Sequence, residues 1–416
     1  MLKKFSRPLI ILGISLVCIL LVLSFVIFPY AKSKVGDLRP ALFSSEKYQE
    51  RSENTASGLE SNIVRKLADA RLTVPEEFLI SEFATGTPGA RDLQFSPNGT
   101  LLVSLRAEGK IVALPDTNND GQADKVVEVL TGLRNPHGLA FRNGKLFVAE
   151  EQQVNRYLWD ENQLTANLEK KLFDTPEGVT LPGGGGGHQT RSLTFDQKGN
   201  LYISIGSTCN VCLEKNQFNA TVMITDEAGS NPRIYSKGLR NAVFLATNPQ
   251  TDQVWVTEMG RDLLGDNIPP DEINILQDNS DFGWPYCYGR QIYDQNFGKE
   301  SAAYCQYTLP PIFELPAHSA PLGLAFIESA DFPKDWQGDL LVAYHGSWNR
   351  SEPTGYKIVR LDVEGNTIKS ESDFMTGFLQ GSSAIGRPVD MAFNGSGSLF
   401  VSDDKSGRIY RITARK

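Results

Sequence analysis

The sequence predicts an all-β protein, a six-bladed β-propeller preceded by one N-terminal transmembrane helix. Three observations carry that expectation. A hairpin unit recurs six times, its copies are spaced as propeller blades are, and the chain opens on a long uncharged apolar segment.

The repeated unit is an apolar-x-aromatic run, a turn at Gly or Asn, and a second apolar run that ends on a small residue. Its first copy reads Leu93-Gln-Phe95, Gly99, then Leu101–Ser104. The next two read Leu139-Ala-Phe141, Gly144, Leu146–Ala149 and Leu193-Thr-Phe195, Gly199, Leu201–Ser204. A weaker fourth is Val243-Phe-Leu245 with Val254–Thr257. The last two are Leu324-Ala-Phe326, Gly338, Leu340–Ala343 and Met391-Ala-Phe393, Gly397, Leu399–Ser402. The aromatic (or Leu245) positions are 46, 54, 50, 81 and 67 residues apart, so the later blades carry insertions. Runs such as Gly109–Leu114, Lys357–Leu361 and Gly407–Ile412 supply third strands. The strand-like segment Glu77–Phe83, before the first copy, is expected to pair with the last blade and close the ring, which removes exposed edges.

At the N-terminus, Lys3, Lys4 and Arg7 precede an uncharged run from Leu9 to Tyr30, long enough to span a bilayer. The stretch Phe28-Pro29-Tyr30-Ala31 is a poor cleavage site, and nothing around Cys18 resembles a lipid-attachment signal. Positive flanks stay inside. The expected organisation is therefore a membrane anchor or uncleaved signal over 1–31, a polar stalk over 32–75, and a propeller over 76–416. This places a single-pass protein in the cell membrane with its large domain periplasmic or extracellular.

Of the five cysteines, four lie beyond Cys18. An even number in an exported domain points to disulfides, here the local pairs Cys209–Cys212 and Cys287–Cys305. The spacing Cys209-Asn-Val-Cys212 is also that of redox and zinc motifs, but no second such pair accompanies it. The 416 residues are 40% hydrophobic and 22% charged, which excludes a disordered chain. A net charge of −8 with no basic cluster gives no reason to expect a nucleic-acid partner.

Hairpin geometry brings together residues that precede the first strand and follow the second strand of each unit, at one end of the central channel. Before first strands stand His137, His188, Arg240-Asn241, His318 and Arg387. After second strands stand Arg106, Glu150, Ser207, Glu258, His345 and Asp403. All four histidines of the chain fall in this set. Isolated core histidines have no reason to gather so. A channel mouth lined with Arg and His suits an anionic ligand, which guanidinium groups grip through paired hydrogen bonds. Separately, Asp116, Asn118, Asp120 and Asp124 are spaced like the oxygen ligands of a calcium loop, with Gly121 at its turn but no final Glu. The same residues also make an ordinary polar hairpin turn.

Several stretches at this mouth resemble the soluble pyrroloquinoline quinone (PQQ)-dependent sugar dehydrogenases, in particular the sorbosone dehydrogenase type. They are His188-Gln-Thr-Arg-Ser-Leu-Thr-Phe195 with Gly199–Ser207, Gly238-Leu-Arg-Asn-Ala242, and Trp255–Arg261 with Asp271-Glu-Ile-Asn274. His345-Gly-Ser-Trp-Asn-Arg350 and Gly386-Arg-Pro-Val-Asp390 complete the set. The resemblance covers about residues 76 to 414. It implies PQQ and Ca²⁺ at the channel mouth and oxidation of a sugar or related alcohol by hydride transfer to PQQ. By the same resemblance His188 is the general base and Arg240 stabilises charge on the quinone. Asn241, His345, Arg387 and His137 help to hold PQQ, and the backbone carbonyls of Gly260 and Arg261 bind Ca²⁺. Glucose-type members have an Asp where this chain has Ser207. A hydroxyl does not stabilise a cationic imidazole as a carboxylate does, so rapid glucose oxidation is not expected. The electron acceptor, a quinone or a cytochrome, is not specified by the sequence. Two other readings compete: a metal-dependent lactonase or esterase on the same scaffold, and a non-catalytic propeller that binds a glycan or a protein.

Overall fold

The computed structural model describes residues 71–178 and 188–415. Six antiparallel sheets stand around one axis. Blade 1 is built from Ala90–Phe95, Leu101–Leu105, Lys110–Leu114 and Val127–Leu130. Blade 2 comprises Leu139–Arg142, Lys145–Ala149, Gln153–Asp160 and Thr165–Asp174. Blade 3 comprises Leu193–Phe195, Asn200–Ile205, Thr221–Asp226 and Arg233–Lys237, with Ser280–Asp281 added in parallel at its outer edge. Blade 4 has Ala242–Thr247, Val254–Glu258, Asp271–Ile275 and Phe313–Leu315. Blade 5 has Pro321–Phe326, Leu340–Tyr344, Lys357–Glu364 and Thr367–Met375. Blade 6 takes three strands from the C-terminus, Pro388–Phe393, Leu399–Asp403 and Arg408–Ala414, and its fourth, Phe78–Thr85, from the start of the described chain.

Each repeat read from the sequence is the inner hairpin of one blade, with the aromatic opposite the start of the second run. Phe95 faces Leu101, Phe195 faces Leu201 and Phe393 faces Leu399. The first strands of neighbouring blades touch one another all the way round, so the ring is complete. Its closure is the expected one: Phe78 pairs with Ala414 and Thr85 with Arg408. Phe78 is 1% exposed and stacks against Phe332, Trp336 and Phe374, which ties the closing strand to blade 5 as well.

Second strands read as largely apolar runs, with a single small polar residue such as Ser104 among them, because both of their faces are covered by adjacent blades. Leu101–Leu105 and Leu340–Tyr344 are buried at every position. The hydrophobic clusters accordingly lie between blades: Leu340, Val342 and Val359 of blade 5 pack with Trp255 and Ile273 of blade 4. Outer strands turn polar; Thr165–Asp174 exposes Glu169, Lys170 and Lys171, charges that discourage edge-to-edge pairing.

The long insertion after Thr257 holds the parallel strand of blade 3, a small hairpin of Cys287–Tyr288 with Ile292–Tyr293, and a one-turn helix, Ser301–Cys305. Both expected disulfides are formed, Cys209–Cys212 and Cys287–Cys305. Of the stalk expected over 32–75, the structure describes only the end. There Leu72 is buried among residues of blades 5 and 6, and Thr73 bridges to Thr376. The anchor expected over Leu9–Tyr30 lies outside the described residues. Among the described residues no helix is long and apolar enough to cross a membrane.

Candidate active site

His188 enters blade 3 just ahead of its first strand, and Ser207 leaves the second strand of the same hairpin. The backbone N–H of His188 donates to the Ser207 carbonyl at 3.0 Å, and the Ser207 N–H donates to the Arg240 carbonyl of blade 4 at 2.7 Å. The predicted base and the predicted guanidinium are thus fixed to one another through main chain. Gly206 makes the approach feasible: a Cβ there would lie 2.4 Å from the His188 Cβ and 2.8 Å from Asn241 Oδ1. Together His188 and Arg240 line a cavity of about 120 Å³, with Met259, Asp262, His318 and Trp348 among its walls.

The tautomer of His188 follows from its partners. Nδ1 lies 2.9 Å from Ser207 Oγ and 3.1 Å from the Ser207 carbonyl. The Ser207 hydroxyl donates its own proton to the Cys209 carbonyl at 2.7 Å. Both neighbours of Nδ1 are therefore acceptors, so Nδ1 carries the hydrogen and Nε2 the basic lone pair. Burial and the nearby Arg240 charge hold the imidazole pKa well below its ordinary value, leaving the ring neutral at neutral pH.

Arg240 is 6% exposed, and acceptors surround its guanidinium. Nε donates to the Asn210 carbonyl at 2.9 Å, Nη1 to the Gly260 carbonyl at 3.0 Å, and Nη2 to Asp262 Oδ2 at 3.0 Å. Asn210 sits inside the Cys209–Cys212 loop, so that disulfide loop braces the Arg240 side chain. Asn241, buried beside them, donates from Nδ2 to the sulfur of Met259 and places its backbone N–H on Glu258. The Gly260 N–H donates to Asp271, whose carboxyl burial pushes up to about 6. Arg261 points its side chain elsewhere, to a buried pair with Asp294 at 2.7 Å. His318 and Ala320 both adopt left-handed backbone conformations, with φ of 64° and 53°, a strained arrangement held at the cavity wall.

A second, cationic arc completes the mouth. His345 Nε2 lies 3.0 Å from Asp404, which also pairs with Arg91 at 3.0 Å. Burial opposes the Asp404 charge, but His345 and Arg91 overcome it and hold this carboxyl well below the usual range. Arg387 lies 3.4 Å from His345 Nδ1 and rests its guanidinium over the Tyr356 ring. Arg106 donates to Gln189, next to His188, at 2.8 Å and so joins the two arcs. His137 is fully buried against Phe244, and neither of its ring nitrogens has a hydrogen-bond partner. Burial, then the charges of Arg91 and Arg106, hold its pKa well below normal. The Nε atoms of Arg91 and Arg106 are likewise buried and unpartnered. Arg91, Asp404, Asn210 and Asp262 were not singled out in the sequence. The one available signal was a charge directly before the apolar-x-aromatic run, as in Arg91-Asp92-Leu93.

The acidic rim residues have another role. Glu150 accepts from the Arg134 N–H at 2.7 Å, Glu258 from the Asn241 N–H at 3.1 Å, and Asp403 from the Arg387 N–H at 2.8 Å. In blades 2, 4 and 6 the acid after the second strand clamps the backbone leading into the first strand. In the Asp116–Asp124 loop the carboxylates serve the turn itself. Asp116 accepts from the N–H groups of Asp120 and Gly121, and Asp124 from the N–H and hydroxyl of Thr117. Among the described residues, Cys209, Cys212 and Glu214 form the one group of His, Cys, Asp and Glu atoms close enough to share a metal, and its two sulfurs are bonded to each other.

A family model described as TrAA12-like matches residues 72–415. The chain belongs to the TrAA12-like family. An uncharacterized protein of Borreliella burgdorferi is 30% identical over 361 residues, covering 83% of this chain and 91% of that protein. A pyrroloquinoline quinone-dependent pyranose dehydrogenase of Coprinopsis cinerea is 25% identical over 82% of this chain, which spans about half of that protein (54%). The calcium structure of the Trichoderma reesei family AA12 enzyme superposes with a TM-score of 0.72 at 19% identity, covering 85% of this TrAA12-like chain and all of that one. That likeness shows the shared propeller. The relatives agree with the sequence resemblance to PQQ-dependent sugar dehydrogenases.

Proposed function

We propose that this protein is a PQQ-dependent dehydrogenase that oxidises a sugar or related alcohol, of the aldose or sorbosone type, at the cavity holding His188 and Arg240. The observation that carries the reading is the forced tautomer of His188: a neutral ring with its lone pair on Nε2, beside a guanidinium in the same cavity. His188 takes the proton of the substrate hydroxyl, which is general-base work.

The residues fit both partner groups. Buried, unpartnered donors on Arg91 and Arg106 and the orphaned imidazole of His137 suit a polyanion at the channel mouth, and Arg387 and His345 extend that surface. The Met259 and Gly260 carbonyls converge on the cationic Arg240 Nη1, at 3.3 and 3.0 Å, so oxygen dipoles already gather where a hard cation is expected. Arg261 is assigned here through its carbonyl alone. When bound, PQQ supplies the acceptor for the hydride leaving the substrate carbon, and Ca²⁺ the Lewis acid that polarises it. Arg240, whose five N–H groups all meet protein acceptors, supplies positive charge where negative charge develops, and Ser207 keeps the His188 ring in its working orientation. Asp116, Asn118, Asp120 and Asp124 are proposed only as a peripheral turn, in keeping with their hydrogen bonds.

The lactonase alternative needs carboxylates gathered on a central metal. Glu150, Glu258 and Asp403 are instead engaged separately on backbone N–H groups. The two disulfides support a location outside the cytoplasm, and we place the propeller there, tethered by the apolar segment 9–30.

The test is reduction of an artificial electron acceptor by the purified chain supplied with PQQ and Ca²⁺, screened over aldoses, sorbosone and polyols. Sugar-dependent reduction that is lost in His188→Asn supports the reading. Loaded protein inactive on every substrate, or lactone hydrolysis without PQQ, contradicts it.

A further inference from the structure

Asp262 sits in the loop between the second and third strands of blade 4, and its bonds reach three blades. Oδ2 accepts from Arg240 Nη2 at 3.0 Å, and Oδ1 accepts from Asn349 Nδ2 of blade 5 at 2.8 Å. Its backbone N–H donates to Asn210 Oδ1 at 2.8 Å, and its carbonyl accepts from Asn210 Nδ2 at 3.0 Å, in the disulfide loop of blade 3. His318 Nδ1 stands 3.9 Å from Oδ1. The pair with Arg240 is largely shielded from water, the side chains being 7% and 20% exposed. Partial burial makes such a counter-charge felt over the whole cavity.

We propose that Asp262 is a positioning residue for the reaction. It fixes the plane of Arg240 and sets how much of that positive charge reaches an anion in the cavity. The inference rests on the quinone reading above. A quinone that gains two electrons but only one proton, as hydride delivery provides, is one unit more negative than its oxidised form, so a guanidinium without its counter-charge favours that reduced form.

The experiment measures the midpoint potential of PQQ bound, with Ca²⁺, to the wild type, to Asp262→Asn and to Asp262→Glu. Binding affinity for oxidised PQQ and thermal unfolding are recorded for each. Asn keeps the shape and can still accept from Asn349, but removes both the charge and the acceptor that faces Arg240 Nη2. The expected result is a higher midpoint in Asp262→Asn, of the order of a tenfold gain in relative preference for the reduced form (~30 mV for a two-electron couple). Affinity for oxidised PQQ stays undiminished and the unfolding temperature close to wild type. Asp262→Glu keeps the wild-type midpoint. An unchanged or lowered midpoint in Asp262→Asn overturns the proposal, as does an equal rise in Asp262→Glu. If Asp262→Asn does not fold, Asp262→Ser replaces it with the same two outcomes. A wild type that binds no PQQ overturns the functional reading and this inference together. A wild type that binds PQQ and is reduced by sugar, beside an unmoved Asp262→Asn, overturns this inference alone.

Discussion

His188 Nδ1 lies 2.9 Å from Ser207 Oγ, whose proton is directed at the Cys209 carbonyl 2.7 Å away. The serine acts as an acceptor toward the ring, and its own carbonyl, 3.1 Å from Nδ1, is a second one. A hydroxyl in place of a carboxylate therefore still orients the imidazole. What it does not do is raise its pKa.

Removing the base is expected to separate chemistry from binding. His188→Asn should lower kcat by about 10²–10⁴, with little change in PQQ affinity, because Arg240 and the cationic arc remain. Steady-state kinetics alongside PQQ titration check this; a variant within a few fold of wild-type kcat contradicts the assignment.

The pH profile follows from the depressed His188 pKa. A base with a lowered pKa stays neutral, and so competent, down to that lowered value. The acid limb of kcat/KM should thus fall below the ordinary histidine pKa of about 6.5. Ser207→Asp adds a negative charge beside Nδ1–H, favours the cationic ring and should move that limb to higher pH. A limb that moves down, or not at all, contradicts the geometry.

The two disulfides should behave differently. Cys287–Cys305 closes a loop across a sequence separation of 18, and its removal should cost about 3 kcal/mol of stability, read from denaturant unfolding. Cys209–Cys212 spans a separation of only 3. Replacing both of these cysteines by Ser should change stability little. It should lower kcat, because Asn210 between them holds Arg240 Nε.

Burial pushes the Asp390 carboxyl up to about 7, where it accepts from the Leu93 N–H at 2.8 Å. Asp92 beside it is raised too, by burial first and then by Asp390. Between about pH 4 and pH 7 the folded state holds a proton that the unfolded chain has released, so stability falls as pH rises through this window. Asp390→Asn keeps an acceptor for Leu93 without the titration. It should be more stable than wild type above pH 7, with the difference closing by pH 4 in thermal unfolding. The opposite trend contradicts the burial argument.

Sequence reading recovered what burial imprints on composition. Second strands covered on both faces are largely apolar, which is why the runs Leu101–Ser104 and Leu340–Ala343 stood out. Phe78 closed the ring where expected because an unpaired edge beside Arg408–Ala414 needs a partner. The reading was weaker where function rests on loops. Asp262 belongs to no period, and its importance lies in meeting Arg240, Asn349 and Asn210 from three blades. Ser280–Asp281 is too short to show as a strand. Tyr286, in the long insertion, packs on Phe297 and Tyr304 and fills its own loop.

The most direct measurement is an equilibrium titration of the purified full-length chain with PQQ, with and without Ca²⁺, followed by the absorbance of the bound quinone. The account predicts saturable binding of one PQQ per chain that is strengthened by Ca²⁺ and weakened in Arg240→Ala and Arg387→Ala. No saturable binding, or binding indifferent to both arginines, would contradict it.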